Sequence, residues 1–146
     1  MKPRASIVAA GAAVVLGTTG ALVLPAVASA HSASTTLKFV SAEKAFAQFT
    51  TATFAQQDTD LNAAGKTIGF DELYFAATSA SSANANVTGD FNGGMLYGTF
   101  TANLKTGAIT NGKVTGGTGA FAGATGTIKA KAISKTKTAV TITYTG

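Results

Sequence analysis

The chain has 146 residues, no cysteine and one histidine, and 11 lysines and arginines against 6 acids give a formal net charge of +5. Without cysteine there is no disulfide framework and no thiolate for metal binding or nucleophilic attack, so the fold rests on its own core. Glycine is abundant, at 17 residues, and proline is absent beyond Pro25, a balance that suits closely packed strands and tight turns.

The first stretch reads as an export signal. Met1-Lys2-Pro3-Arg4 is basic, Ala5–Leu16 is apolar, Ala21–Val27 resumes the apolar run, and Pro25 precedes Ala28-Ser29-Ala30. That order predicts a secretory signal peptide over residues 1–30, cleaved after Ala30, and an extracellular mature protein. The run is rich in Ala and Gly, too weakly apolar for a stable anchor. Residues 31–34 are expected to be a flexible start and residues 35–146 a single domain. Loss of Lys2 and Arg4 with the leader leaves nine lysines and no arginine. With no guanidinium fork to grip phosphates or bases, specific nucleic-acid binding is excluded.

Beyond the leader, side chains alternate with period two. Thr35–Ser41 predicts a first strand with Leu37 and Phe39 on one face. Ala45–Gln56 has some helical spacing (Ala42, Phe46, Phe49), but Thr50–Phe54 favours strand. Asp58–Lys66 is expected to be a turn, Thr67–Ala77 a strand and Ser79–Ala83 a loop. Asn84–Phe91 and Met95–Leu104 form a hairpin around Asn92-Gly93-Gly94, with Leu96, Gly98, Phe100, Ala102 and Leu104 sharing a face. Lys105-Thr106-Gly107 turns into Ile109–Thr115, and Thr125–Ser134 and Lys137–Thr145 complete eight strands.

Between the sixth and seventh strands lies a corner dense in glycine, with Gly116, Gly117, Gly119, Gly123 and Gly126 around a single large side chain, Phe121. Such a segment turns sharply and buries its ring as a plug. It is not a nucleotide loop. Gly117-Thr118-Gly119 is followed by Gly123 one residue too late for the dinucleotide fingerprint, and no lysine precedes Thr127 as a phosphate loop requires. Eight short antiparallel strands remove their edges by closing, the last against the first, into a barrel whose interior holds a small ligand.

Candidate chemistry is sparse. His31, on the expected tail, gives no basis for a serine–histidine pair or a histidine-based zinc site. Asp58-Thr59-Asp60-Leu61-Asn62 resembles the start of a calcium loop, but Ala63 and Gly69 stand where Gly and Glu are needed, so the reading is a turn, with no metal and no cofactor. The acidic pair Asp71-Glu72 sits mid-strand, so one carboxylate points inward and the other outward. Parity ties Asp71 to Leu73 and Phe75, and Glu72 to Phe70 and Tyr74, and does not choose between them. Either is the candidate catalytic acid, since an inward carboxyl in a dry lumen has a raised pKa. Tyr74, Tyr97, Phe100 and Tyr144 are the candidate ligand-binding residues. Lys129, Lys131, Lys135 and Lys137 form a basic cluster, read as a solvated face with weak attraction to an anionic cell envelope as the alternative.

Val114-Thr115-Gly116-Gly117-Thr118-Gly119-Ala120-Phe121 with Ala124-Thr125-Gly126 resembles the glycine signature of plant dirigent proteins and the allene oxide cyclase-like barrels. Lys66-Thr67-Ile68-Gly69 and Gly93-Gly94-Met95-Leu96-Tyr97-Gly98 match further pieces in order. The resemblance implies a closed eight-stranded antiparallel barrel of calycin-like shape. It also implies a small hydrophobic or phenolic ligand, because dirigent proteins orient phenoxy radicals and the cyclases fold an epoxide into a ring. The arginine that follows "VG" in the dirigent pattern is replaced here by Phe70 or Asp71. Three readings follow: a secreted binding barrel without cofactor, a cofactor-free cyclase or isomerase using a lumen carboxylate and a tyrosine, and a structural envelope-associated domain.

Overall fold

The computed structural model describes residues 33–146; the expected leader, His31 and Ser32 lie outside the described residues. The strands are β1 (Thr35–Gln48), β2 (Thr53–Leu61), β3 (Thr67–Ser79), β4 (Ser82–Phe91), β5 (Gly94–Asn103), β6 (Ile109–Gly117), β7 (Thr125–Ala132) and β8 (Lys137–Thr145). They follow one another around a closed antiparallel barrel, each hydrogen-bonded to its sequence neighbour, and β8 pairs with β1 from Thr35↔Tyr144 to Ala42↔Lys137. Closure follows from the sequence rhythm. Eight amphipathic strands with short connections bury one face and leave no unpaired edge only by meeting end to end.

Three boundaries differ from the sequence reading. Ser79–Ala83 is not a loop: β3 runs to Ser79 and β4 starts at Ser82, paired with each other, so only Ala80 and Ser81 connect them and Ala83 is buried in the core. Ala45–Gln56 is not one strand: β1 runs on to Gln48 with a bulge between Glu43 and Ala45, and the chain reverses at Phe49–Ala52 before β2. The reversal is held by Thr50, whose hydroxyl accepts from the backbone N–H of Ala52 and Thr53. Asp58–Lys66 is not a turn throughout. Asp58 to Leu61 belong to β2, and only Asn62 to Lys66 turn, with Asn62 Oδ1 accepting from the N–H of Ala64 and Lys66 at 3.0 Å each. The aspartates that looked like turn residues are therefore strand residues, two apart and on the same, inward face.

The two ends of the barrel differ. At the end carrying the β2–β3, β4–β5 and β6–β7 connections, the interior is filled by Phe39, Phe91, Leu96, Phe121 and Ile142. The glycine corner seals it. A short 3-10 turn at Gly119–Phe121 drives the Phe121 ring inward against Phe91, with centroids 6.1 Å apart, and Tyr144, at 5.6 Å. The corner is stitched to the β4–β5 turn: Ala120 N–H donates to Gly93 O and Thr118 N–H to Met95 O, both at 2.8 Å, and Met95 N–H donates to the Thr118 hydroxyl at 3.0 Å. At the other end the β1–β2, β3–β4, β5–β6 and β7–β8 connections surround an opening.

Gly119 is one position where this plug admits no side chain. Its φ of 58° is left-handed, and a Cβ there would collide with the Gly93 carbonyl oxygen. Gly123 has a comparable φ of 75° with nothing within 4 Å of an added Cβ. Gly119→Ala should therefore cost about 3 kcal/mol or more, and Gly123→Ala only about 1–2 kcal/mol. Chemical denaturation of both variants checks this; equal losses would mean that the corner is not packed against the β4–β5 turn.

Candidate functional site

Strand parity decides what enters the barrel. On β3, Gly69, Asp71, Leu73 and Phe75 point inward, while Phe70, Glu72 and Tyr74 point out. On β2 the inward set is Phe54, Gln56, Asp58 and Asp60, and on β1 it includes Phe39 and Ser41. The inward positions of β5 are Leu96, Gly98, Phe100 and Ala102. Together they bound a cavity of about 560 Å³, a size that accommodates a small organic molecule. Its upper wall is apolar and aromatic. Phe54 stacks on Phe75 at 4.6 Å, and Phe75 meets Phe100 edge-on at 6.0 Å. The mouth is bordered by the β5–β6 and β7–β8 turns, which carry Lys105 and Lys135.

The floor is acidic. Cross-strand register sets Asp58 directly opposite Asp71, and Asp60 opposite Gly69 on one side and Ser41 on the other. Gly89, which pairs with Asp71, and Gly69 place no side chain over the carboxyls; both lie under the Phe91 ring, which an added Cβ would strike. Asp58 accepts from Gln56 Nε2, at 2.8 Å and 3.1 Å to its two oxygens, and from the Ser41 hydroxyl. The Ser41 hydroxyl also lies 3.4 Å from Asp71 Oδ2. Both oxygens of Asp60, which is 0% exposed, and Oδ1 of Asp71, 6% exposed, find no donor among the described residues. Two carboxylates left this way would be prohibitively costly, so a proton between them supplies the missing donor.

The electrostatics agree. Burial pushes Asp71 up to about 8, with the negative charges of Asp60 and Asp58 adding to it and the Ser41 hydroxyl opposing. Burial also raises Asp60 to about 7; a hydrogen bond from Asp71 pulls against this, and the charge of Asp58 adds to it. No lysine faces the floor, and the other acid on the cavity wall, Glu43, is exposed at the mouth. The floor is a proton store at neutral pH, with a carboxyl and a hydroxyl facing the lumen. This arrangement can donate a hydrogen bond, or a proton, to a basic or carbonyl atom of a bound molecule.

The predicted site residues separate accordingly. Asp71 is inward and Glu72 outward, where it accepts from Gln57 Nε2 at 2.8 Å. Phe100 lines the lumen. Tyr74 does not: it is 46% exposed on the outer face, stacked on Phe49 at 6.3 Å. Tyr97 borders the cavity but alternates outward from Leu96 and Gly98, with its hydroxyl 3.7 Å from the Met95 sulfur. Tyr144 faces inward at the sealed end, packed on Phe121, away from the cavity. Gly116, Gly117, Gly119, Gly123 and Gly126 serve the corner. The sequence reading missed Asp58, Asp60 and Ser41. Their i, i+2 spacing (Asp58, Asp60) on the strand after the first was the available signal, hidden by the turn-like composition. Among the described residues no set of three His, Cys, Asp or Glu side chains is arranged to hold a metal ion.

No family model matches the chain, and no curated protein matches it in sequence. In structure it is similar to a protein described as pyocyanin demethylase, with a TM-score of 0.65 and 16% identity over 76% of this chain and 100% of the other. At that identity the likeness shows a shared barrel fold.

The raised acids set a stability profile. Each has an ordinary value of 3.8 and a higher one when folded, so the folded state binds more protons than the unfolded chain between these limits. Their contribution is complete below about pH 4 and is lost as pH rises towards 8. The melting temperature should therefore fall across that window. Asp71→Asn, which keeps a donor towards Asp60, should flatten the fall and raise stability at pH 8 by about 1–3 kcal/mol. Thermal melts from pH 4 to 9 test this, and a wild-type profile that rises with pH would contradict it.

Proposed function

We propose that this protein is an exported, cofactor-free barrel that binds one small, mostly apolar, ring-bearing molecule in its lumen. The ligand's polar end rests on the Ser41–Asp58–Asp71 floor, where a protonated carboxyl donates to it. The observation that carries the reading is the pairing of an aromatic-walled cavity of about 560 Å³ with buried, proton-bearing aspartates at its base. Phe54, Phe75 and Phe100 would face the rings, and the floor would select for a hydrogen-bond acceptor. The glycine-corner resemblance to the dirigent and allene oxide cyclase-like barrels supports a hydrophobic or phenolic ligand. The similar barrel of a protein described as pyocyanin demethylase supports the idea that this fold can carry an activity. Export rests on the signal-like residues 1–30.

A second reading, a cofactor-free isomerase or cyclase, is favoured by one observation: Asp71, which burial pushes towards its protonated form, stands directly across from Asp58, which Ser41 and Gln56 hold by hydrogen bonds. One carboxyl could deliver a proton and the other remove one on the same face of a ligand. No tyrosine is given a part, since Tyr74 is outside, Tyr97 alternates outward with its hydroxyl towards the Met95 sulfur, and Tyr144 lies in the plug.

Titration with the neutral apolar fluorophore N-phenyl-1-naphthylamine tests the binding reading. One molecule should bind per chain. Ala102→Phe, which fills the lumen from β5, should weaken binding about tenfold or more while leaving the circular dichroism spectrum unchanged. A wild-type protein that does not bind, or an Ala102→Phe variant that binds as well, would overturn it. For the second reading, a ligand recovered from the native protein should change its chromatographic retention, at constant mass, on incubation with wild type and not with Asp71→Asn.

A further inference from the structure

Of the seven large apolar side chains that the barrel leaves exposed, Phe70 and Tyr74 lie on the outer face of β3 and Met95 beside the β4–β5 turn, while the other four gather at one end. Phe46 and Phe49, 54% and 61% exposed, lie on the β1 extension and its turn; Leu104 and Ile133, 40% and 59% exposed, lie on the β5–β6 and β7–β8 turns. All four stand around the one end where the lumen opens. Phe46 is continuous with the lumen wall, its ring 5.4 Å from that of Phe54. β1 runs on past Ala42, its last residue in register with β8, to Gln48, where it is paired with β2, so Phe46 and Phe49 stand at the rim end of the β1–β2 hairpin.

Five of the nine lysines among the described residues share this end, while Lys38, Lys66, Lys113 and Lys129 are exposed elsewhere on the barrel. Lys44, Lys105, Lys131, Lys135 and Lys137 are exposed on the strand ends and turns of this rim, and Glu43 is the acid beside them. The remaining exposed acids, Glu72 and Asp90, lie on the outer faces of β3 and β4, and the three aspartates of the floor are buried. The opening is thus an apolar ring set in a basic collar. Single exposed apolar residues need no explanation, but a ring of them around a hydrophobic opening does. An aromatic and aliphatic rim interleaved with lysines has the chemistry of a surface that inserts shallowly at a lipid interface, with ammonium groups among anionic headgroups.

We propose that the open rim docks on an anionic lipid surface, with Phe46, Phe49, Leu104 and Ile133 entering the headgroup boundary and the collar lysines holding the phosphates. Docking in this pose sets the lumen mouth against the hydrocarbon, so an apolar ligand passes between bilayer and barrel without crossing water. The docking surface stands independently of what the lumen binds; only this route for the ligand rests on the lumen reading.

The test is sedimentation of the protein, as its own cells process it, with vesicles of equimolar phosphatidylglycerol and phosphatidylcholine, and with phosphatidylcholine alone. Binding to the anionic vesicles should be about tenfold tighter or more, and should weaken as salt approaches about 0.5 M. Phe49→Ser with Ile133→Ser, and separately Lys105→Gln with Lys135→Gln, should each reduce it about tenfold. Phe70→Ser with Lys66→Gln, placed towards the sealed end, should leave it unchanged. Equal binding to both vesicle types, or equal loss in the sealed-end variant, would overturn the proposal. So would absence of vesicle binding together with self-association in the ultracentrifuge that Phe49→Ser abolishes, since the rim would then be covered by a second copy. The lumen reading is judged separately by fluorophore binding, which the rim variants should leave intact.

Discussion

Everything in this barrel depends on the cross-strand register that closure imposes. Once β8 pairs with β1, each strand has two neighbours, and a slip of one residue would turn every inward side chain out. That register puts Asp58 face to face with Asp71, and Asp60 beside them under Ser41. Like charges opposite one another weaken a sheet. Here they are also buried, so the fold tolerates them by keeping protons on the floor that an exposed aspartate would have lost. The acid chemistry is a consequence of the topology, not an addition to it.

The two ends of the cylinder then divide the work. The glycine corner and Phe121 close one end with hydrogen bonds to the β4–β5 turn, which excludes water from below the floor. Low solvent access at that depth is what raises Asp60 and Asp71. The other end stays open because its walls carry small residues, Ala102 and Ala130, between the aromatic ones. A dry base and an open top give a site in which a ligand's polar end meets a proton donor while its body lies against rings.

Much of this was readable in the sequence, for identifiable reasons. Alternation in Met95–Leu104 and Lys137–Thr145, the Asn92-Gly93-Gly94 turn and the glycine corner define the strands and their closure, because period-two burial and positive-φ turns leave direct marks. The site was less readable. Asp58-Thr59-Asp60 looks like a turn, since aspartates near Asn62 and Gly65 usually satisfy local backbone donors; only the continuation of β2 to Leu61 turns them inward. Asp71 and Glu72 are indistinguishable by composition, because both neighbouring faces carry aromatic residues, Phe70 and Tyr74 against Leu73 and Phe75. The outward position of Tyr74 reflects the same ambiguity: its exposed ring is stabilised by Phe49, a contact across the β1–β2 reversal that no local pattern announces.

The central claim is that the lumen floor holds protons at neutral pH, and side-chain carboxyl carbon chemical shifts of the six acids, followed by NMR from pH 3 to 10, address it most directly. The account predicts two aspartates whose carbons titrate near 7 and 8, and that both resonances disappear from that range when Asp60 and Asp71 are replaced by asparagine. If every carboxyl in the folded protein titrates near 4, the floor is an ordinary solvated acidic surface and the account fails.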